Sequence, residues 1–152
     1  MRLPVALRYV WPLLALSLCL PTPSVAEDLP SVRATLIIEV AGLRSGQGDV
    51  HYAVYDSPEH FPTHKGRVSY GNVPAKPGGV AIPVKGLKHG TYAIAVYHDE
   101  NRNDEFDQGL FGIPLEDYGF SNNASGFLGP PSFNDAAVKL DKKMVRTVIR
   151  LD

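Results

Sequence analysis

The chain has 152 residues, of which 44% are hydrophobic and 20% are charged, so it has enough apolar side chains for the core of one compact domain. Its 16 acidic side chains slightly outnumber its 15 lysines and arginines, and nothing indicates the concentrated basic surface that nucleic acid requires. We therefore expect a single globular domain and no nucleic-acid partner.

The chain begins with the three parts of a signal peptide, which we expect to be removed from the mature protein. Arg2 and Arg8 are basic, and the apolar stretch over residues 10–20 is too short to span a bilayer. Small side chains then lead to an expected cleavage position after Ala26. The alternative is an uncleaved N-terminal anchor. We predict a periplasmic or secreted protein whose mature chain has no transmembrane segment.

Cleavage at this position divides the chain into a signal peptide over residues 1–26, a short linker over residues 27–33 and a domain over residues 34–152. Cys19, the only cysteine, would leave with the signal peptide. The mature protein would then have no disulfide in an oxidising compartment, so its stability must come from its core or from a bound metal.

Apolar side chains alternate with other residues along several short stretches of the domain, which is the pattern of β-strands with one buried face. The alternating residues are Leu36, Ile38 and Val40; Val50, Tyr52 and Val54; Val80, Ile82 and Val84; Tyr92, Ile94 and Val96; Val138 and Leu140; and Val145, Thr147, Ile149 and Leu151. A further short strand is predicted over residues 67–73, and no stretch has the 3.6-residue period of an amphipathic helix. We therefore predict an all-β fold, an antiparallel sandwich of about seven strands.

Turn-forming residues and a proline predict how some of these strands are arranged. Residues 44–48 have turn chemistry between the first two strands, which we therefore expect to form a hairpin. Pro83 interrupts the strand that contains Ile82, and proline is confined to edge strands and bulges. We expect one of these two positions for that strand.

Between residues 99 and 135 the alternation stops, but the segment is too rich in aromatic residues to be a disordered tail. Its aromatic residues are Phe106, Phe111, Tyr118, Phe120, Phe127 and Phe133. Several glycines and prolines lie between them and are typical of irregular structure. We predict a long ordered loop that caps one end of the sandwich.

An acidic loop begins at the start of this segment, directly after a predicted strand. Asp99, Asn101, Asn103 and Asp107 occupy positions 1, 3, 5 and 9 of a calcium-loop pattern, and Glu105 would add its carbonyl oxygen at position 7. Such spacing turns oxygens towards a hard cation such as calcium, which takes about six to eight of them. We therefore predict a calcium site formed by these five residues.

The loop departs from an EF-hand at two positions. Asp104 replaces the usual glycine at position 6, and Leu110 replaces the usual glutamate at position 12. Glu116 would supply the missing carboxylate if the segment folds back on the loop. The alternative is a solvated acidic turn in which the Asp and Asn side chains bond their own backbone.

Four linked motifs resemble a known bacterial family. They are His98-Asp99-Glu100-Asn101 with Asn103 and Asp107, Phe111-Gly112-Ile113-Pro114, Tyr118-Gly119-Phe120-Ser121-Asn122-Asn123, and Pro130-Pro131-Ser132-Phe133. Over residues 36–151 the chain is similar to the small exported family catalogued as domain of unknown function 2141. The resemblance implies a secreted or periplasmic β-sandwich of the prealbumin-like or immunoglobulin-like kind, and it implies no established activity.

His98 and Ser121 are the residues that bear on catalysis. His98 alternates with the apolar residues of its strand, so we expect an inward-facing histidine at the core edge that bonds to the backbone of the long segment. The alternative is a ligand for zinc or copper. Ser121 lacks the second glycine of a nucleophile elbow. We therefore predict no catalytic residue.

These observations favour a binding or structural module of the cell envelope over an enzyme. Calcium is the expected cofactor, and a small molecule, a glycan or a peptide is the expected class of ligand for the aromatic segment. The alternative function is a metal-dependent hydrolase that uses His98 and the neighbouring carboxylates.

Overall fold

The computed structural model of the protein describes residues 33–151. The predicted signal peptide over residues 1–26, and the linker as far as residue 32, lie outside the described residues. Among residues 33–151, no helix has both the length and the apolar character needed to cross a membrane.

Eight β-strands and two single-turn 3-10 helices make up the regular structure of this range. The strands are β1 (Arg33–Ala41), β2 (Asp49–Tyr55), β3 (Arg67–Pro74), β4 (Gly79–Lys88), β5 (Gly90–Asp99), β6 (Tyr118–Phe120), β7 (Val138–Leu140) and β8 (Met144–Arg150). The two short helices are Leu110–Gly112 and Ser121–Asn123. The predicted strand over residues 67–73 is therefore present as β3.

The strands form two sheets that face each other across one core. The smaller sheet has the order β4-β1-β8, and the larger has the order β3-β2-β5-β6, with β7 also paired to β5. The pair of β1 and β8 is parallel, whereas the other pairs are antiparallel. The predicted all-β sandwich is confirmed, with eight strands and one parallel pair.

The predicted hairpin of the first two strands is wrong, because β1 and β2 lie in different sheets. β1 pairs with β4 and β8, whereas β2 pairs with β3 and β5. Both strands bury their alternating apolar side chains in the shared core, and residues 42–48 carry the chain from one sheet to the other. The prediction for Pro83 is confirmed, since β4 is an edge strand of the smaller sheet.

The core lies between the inner faces of the two sheets. Its fully buried aliphatic side chains, each 0% exposed, are Leu36 and Ile38 of β1, Val50 and Val54 of β2, Ile94 of β5, Leu140 of β7 and Ile149 of β8. Burial of such a side chain stabilises a fold by about 1.5–3 kcal/mol. The alternation predicted all five strands that contribute these buried side chains, because a period of two places every second side chain on the face that packs inwards.

A second apolar cluster covers the outer face of the larger sheet. β5 presents the small residues Ala93 and Ala95 on this face, which leaves room for aromatic rings above it. Phe61, from the loop after β2, lies 5.8 Å from Phe120 and 6.0 Å from Phe133 between ring centres. The long segment is therefore ordered by packing on the sheet, and one part of it joins the sheet as β6.

Ser121 ties this segment to β5. It is 0% exposed, and its Oγ accepts a hydrogen bond from the Ile94 N–H at 2.9 Å and donates one to the Ala136 carbonyl oxygen. Both bonds satisfy backbone groups that would otherwise be unpaired in the interior. The hydroxyl thus links β5 to the backbone just before β7.

Candidate metal and ligand-binding site

The acidic loop is built around the carboxylate of Asp99, the last residue of β5. Its Oδ1 accepts the backbone N–H groups of Arg102 at 2.6 Å and Asn103 at 3.3 Å, and its Oδ2 accepts that of Asp104 at 2.8 Å. The side chain lies on the opposite face of β5 from the core, as predicted, but it is 0% exposed. Asp99 is thus the buried anchor of the loop.

Three further residues of the predicted calcium site lie together. The side-chain amides of Asn101 and Asn103 donate to the two carboxylate oxygens of Asp107 at 2.7 and 3.0 Å. The amide oxygens of the two asparagines accept the N–H groups of Asn103 and Glu105, both at 2.9 Å. These are the internal bonds expected of a solvated acidic turn, and calcium binding by the loop stays a prediction.

The backbone of the loop bends at position 6 even without a glycine. Asp104 has a φ of 61° and Arg102 a φ of 60°, both in the left-handed region. Aspartate tolerates this region better than most residues because its short polar side chain bonds locally. The chain therefore turns sharply at this position with aspartate in place of glycine.

Glu116 folds back on the loop. Its Oε2 accepts the Asp107 N–H at 3.2 Å, whereas its Oε1 is buried and has no hydrogen-bond partner within the described range. Burial raises the pKa of this carboxyl, the Asp107 N–H lowers it, and the negative charges of Asp99 and Asp107 raise it further. The fold thus brings a further carboxylate, nine residues beyond Asp107, to the edge of the loop.

His98 faces the core, as predicted, and is 1% exposed. Its Nε2 lies 2.7 Å from the carbonyl oxygen of Gln47, to which it donates as the protonated ring nitrogen. The partner belongs to the connection between β1 and β2, not to the long segment. Because His98 and Asp99 are adjacent on β5, their side chains lie on opposite faces. They therefore do not converge on one ion.

His51 is a candidate site residue that sequence reasoning missed. It lies on β2 opposite Tyr97 of β5, and the two rings stack with centres 4.7 Å apart and planes at 15°. Its Nε2 is 3.4 Å from Asp99 Oδ2 and 3.6 Å from Asp104 Oδ1. These three donor atoms lie within 4.8 Å of one another, so they could hold a metal ion.

A groove with a volume of about 910 Å³ lies over the outer face of the larger sheet. Its aromatic walls are formed by Tyr55, Tyr70, Tyr97, Phe106, Tyr118 and Phe120. His51 and Asp104 line its polar edge, whereas Phe111 and Leu128 line its rim and are 91% and 93% exposed. The groove thus joins apolar walls to the candidate metal ligands.

The groove floor carries a protonated phenol. Burial, and then the negative charge of Asp99, raise the pKa of Tyr97 to about 12. At neutral pH the Tyr97 side chain is therefore neutral, and its hydroxyl is available as a hydrogen-bond donor.

Comparison with known proteins identifies the family. Residues 38–148 match the sequence profile of a bacterial family described as "Uncharacterized protein conserved in bacteria (DUF2141)". The chain belongs to this family. The matched range runs from within β1 to within β8 and includes the acidic loop, the groove and the long segment. A search of curated proteins and a search of solved structures each gave no match. The resemblance drawn from the four motifs is confirmed.

Proposed function

We propose that this protein is an exported binding module of the cell envelope. In this proposal the aromatic groove takes up a small molecule with a flat apolar body, and a calcium ion in the acidic loop stabilises one wall of the groove. The observation that carries the proposal is the groove itself, in which aromatic walls meet a polar edge.

The dimensions and lining of the groove support a small ligand. Its volume of about 910 Å³ lies within the range of about 300–1,000 Å³ that is typical of small-molecule sites. Flat rings pack well against aromatic side chains such as Tyr70, which is 65% exposed. Large apolar residues left exposed around a cavity, here Phe111 and Leu128, mark interaction surfaces.

The charges around the loop support the calcium ion. Asp107 and Glu116 approach each other, and the unpaired Oε1 of Glu116 is buried, which is costly for a carboxylate. The amide oxygens of Asn101 and Asn103 each retain a second lone pair, although their NH2 groups are the atoms that now face Asp107. Together with the Glu105 carbonyl, these groups provide the oxygen-rich environment that calcium requires.

A thermal melt tests the calcium ion. Calcium added after EDTA should raise the melting temperature by several degrees, since a ligand at a hundredfold excess over its Kd stabilises the folded state by about 2.7 kcal/mol. Asp107→Ala should abolish the rise, because Asp107 is the central carboxylate of the loop. Asp141→Ala, at an exposed aspartate outside the loop, should retain it. A rise that persists in Asp107→Ala, or no rise in the unmodified protein, contradicts the ion.

Fluorescence of anilinonaphthalene sulfonate, a flat apolar anion, tests the groove. The native protein should bind the dye, and the double substitution Tyr70→Ala and Phe111→Ala should weaken binding about tenfold, because both rings line the groove. Val148→Ala, at an apolar residue of the smaller sheet that is 42% exposed, should bind normally. Equal binding by all three proteins contradicts the groove as the site. If the dye does not bind but short peptides do, and the double substitution weakens peptide binding, the occupant is a peptide and not a small molecule.

A further inference from the structure

We infer that His51, Asp99 and Asp104 form a transition-metal site at the edge of the groove. The site binds zinc or a similar ion, and it leaves a coordination position for a groove ligand that carries an anionic donor atom. Ion binding at these residues does not depend on the proposed function, whereas the statement about the ligand rests on the groove being a binding site.

The spacing of the three donor atoms fits a metal better than it fits hydrogen bonds. His51 Nε2 lies 3.4 and 3.6 Å from the nearest oxygens of Asp99 and Asp104, beyond the length of about 2.7–3.2 Å that such bonds prefer. In a tetrahedral zinc site with bonds of about 2.0–2.1 Å, neighbouring donor atoms lie about 3.3 Å apart. The His51 distances thus approximate two edges of such a tetrahedron.

The two inner ligands are already fixed in position. Three backbone N–H groups hold the Asp99 carboxylate, and they leave an acceptor position on Oδ2, the oxygen nearest His51. The His51 ring is held by its stacking on Tyr97. Ligands that are oriented by such contacts lose little freedom when an ion binds.

The environment of His51 Nε2 also favours a bound metal ion. The atom is buried and makes no hydrogen bond with any of residues 33–151, and a buried polar atom without a partner is destabilising. Bonding to a metal ion would satisfy this nitrogen, and neutral imidazole is a good ligand for zinc, copper and nickel. Calcium takes oxygen ligands instead, so this site, which shares Asp99 and Asp104 with the acidic loop, differs from a calcium site by its nitrogen ligand.

The third ligand and the open position lie on the groove side. Asp104 has a side chain that is 77% exposed, and both Asp104 and His51 line the groove. Three protein ligands leave the fourth position of a tetrahedral zinc ion free for water or a ligand. A small aromatic carboxylate fits this arrangement, because its ring would lie against the aromatic walls while its oxygen reaches the ion.

Isothermal titration with zinc after treatment with EDTA tests the ion site. The unmodified protein should bind one zinc ion, and His51→Ala and Asp104→Asn should each weaken binding at least tenfold. His89→Ala removes a histidine that is outside the cluster and should bind zinc normally. Melts of each variant in EDTA establish that it is folded, and two ligand variants are used so that one misfolded protein does not decide the result. Equal zinc affinity in all variants, or no zinc binding by the unmodified protein, overturns the site.

Cobalt as a spectroscopic substitute tests the open position. Cobalt bound at this site should give the visible absorption of a tetrahedral ion, and benzoate should shift that absorption. The double substitution Tyr70→Ala and Phe111→Ala should keep the cobalt spectrum and lose most of the response to benzoate. A cobalt spectrum that benzoate does not change overturns the open position. Zinc binding should be retained in Asp107→Ala, which distinguishes the zinc site from the proposed calcium site.

Discussion

Gly48→Ala is expected to lower the free energy of unfolding by about 4 kcal/mol, near the upper end for single substitutions. Gly48 has a φ of 72°, and a Cβ placed there would lie 1.8 Å from the carbonyl oxygen of Asp99 and 2.6 Å from the Cα of Glu100. These are backbone atoms, which cannot rotate away, so the start of β2 and the end of β5 would have to separate. Urea denaturation followed by circular dichroism, in EDTA, measures the loss.

Gly86→Ala is the matched control for this substitution. Gly86 has a similar φ of 79°, but a Cβ there would meet nothing within 4 Å. Its loss should be about 1 kcal/mol, the cost of the left-handed backbone alone. Equal losses at Gly48 and Gly86 would show that backbone conformation, and not the approach to Asp99, explains the effect.

Asp99→Ala is expected to lower the free energy of unfolding by about 3 kcal/mol, even in EDTA. The substitution removes the acceptor of three backbone N–H groups, those of Arg102, Asn103 and Asp104, from a fully buried position. Hydrogen bonds to a charged group contribute about 1.5–3 kcal/mol each, but water can reach part of the opened loop. Because Asp99 is itself a proposed zinc ligand and also holds the loop that carries Asp104, zinc binding should be lost in this variant.

Asp99→Asn and Asp141→Ala are the controls for this prediction. The asparagine keeps one acceptor oxygen for Arg102 and Asn103 but presents N–H groups to the Asp104 N–H, so about half of the loss should remain. Asp141 makes an exposed ion pair with Lys139, and its removal should change stability by less than about 0.5 kcal/mol. A loss below about 1 kcal/mol for Asp99→Ala would show that the loop does not depend on this carboxylate.

Gly48 and Asp99 illustrate how one connection positions the whole site. The stretch over residues 42–48 passes between the sheets, receives the His98 hydrogen bond at Gln47 and approaches β5 closely at Gly48. These contacts fix the end of β5, where the acidic loop begins. The approach at Gly48 follows from the pairing of Asp49 with Asp99 at the start of β2.

Alternation along each strand determined the elements and the direction of their side chains. It predicted the all-β fold, the inward position of His98 and the outward position of Asp99, because side-chain direction in a strand depends on local sequence alone. The spacing of the Asp and Asn residues located the acidic loop and its oxygen atoms. The motifs further identified the family, which the match over residues 38–148 confirms.

Only the tertiary structure decided which strands are neighbours and therefore which side chains meet. Pairing of β2 with β5 places His51 beside Asp99, 48 positions away in the chain. Return of the long segment brings Glu116 to Asp107 and covers the outer sheet face to form the groove. Such contacts depend on which strands pair and on how the long segment packs on the sheet, and the local pattern of each strand is compatible with several pairings.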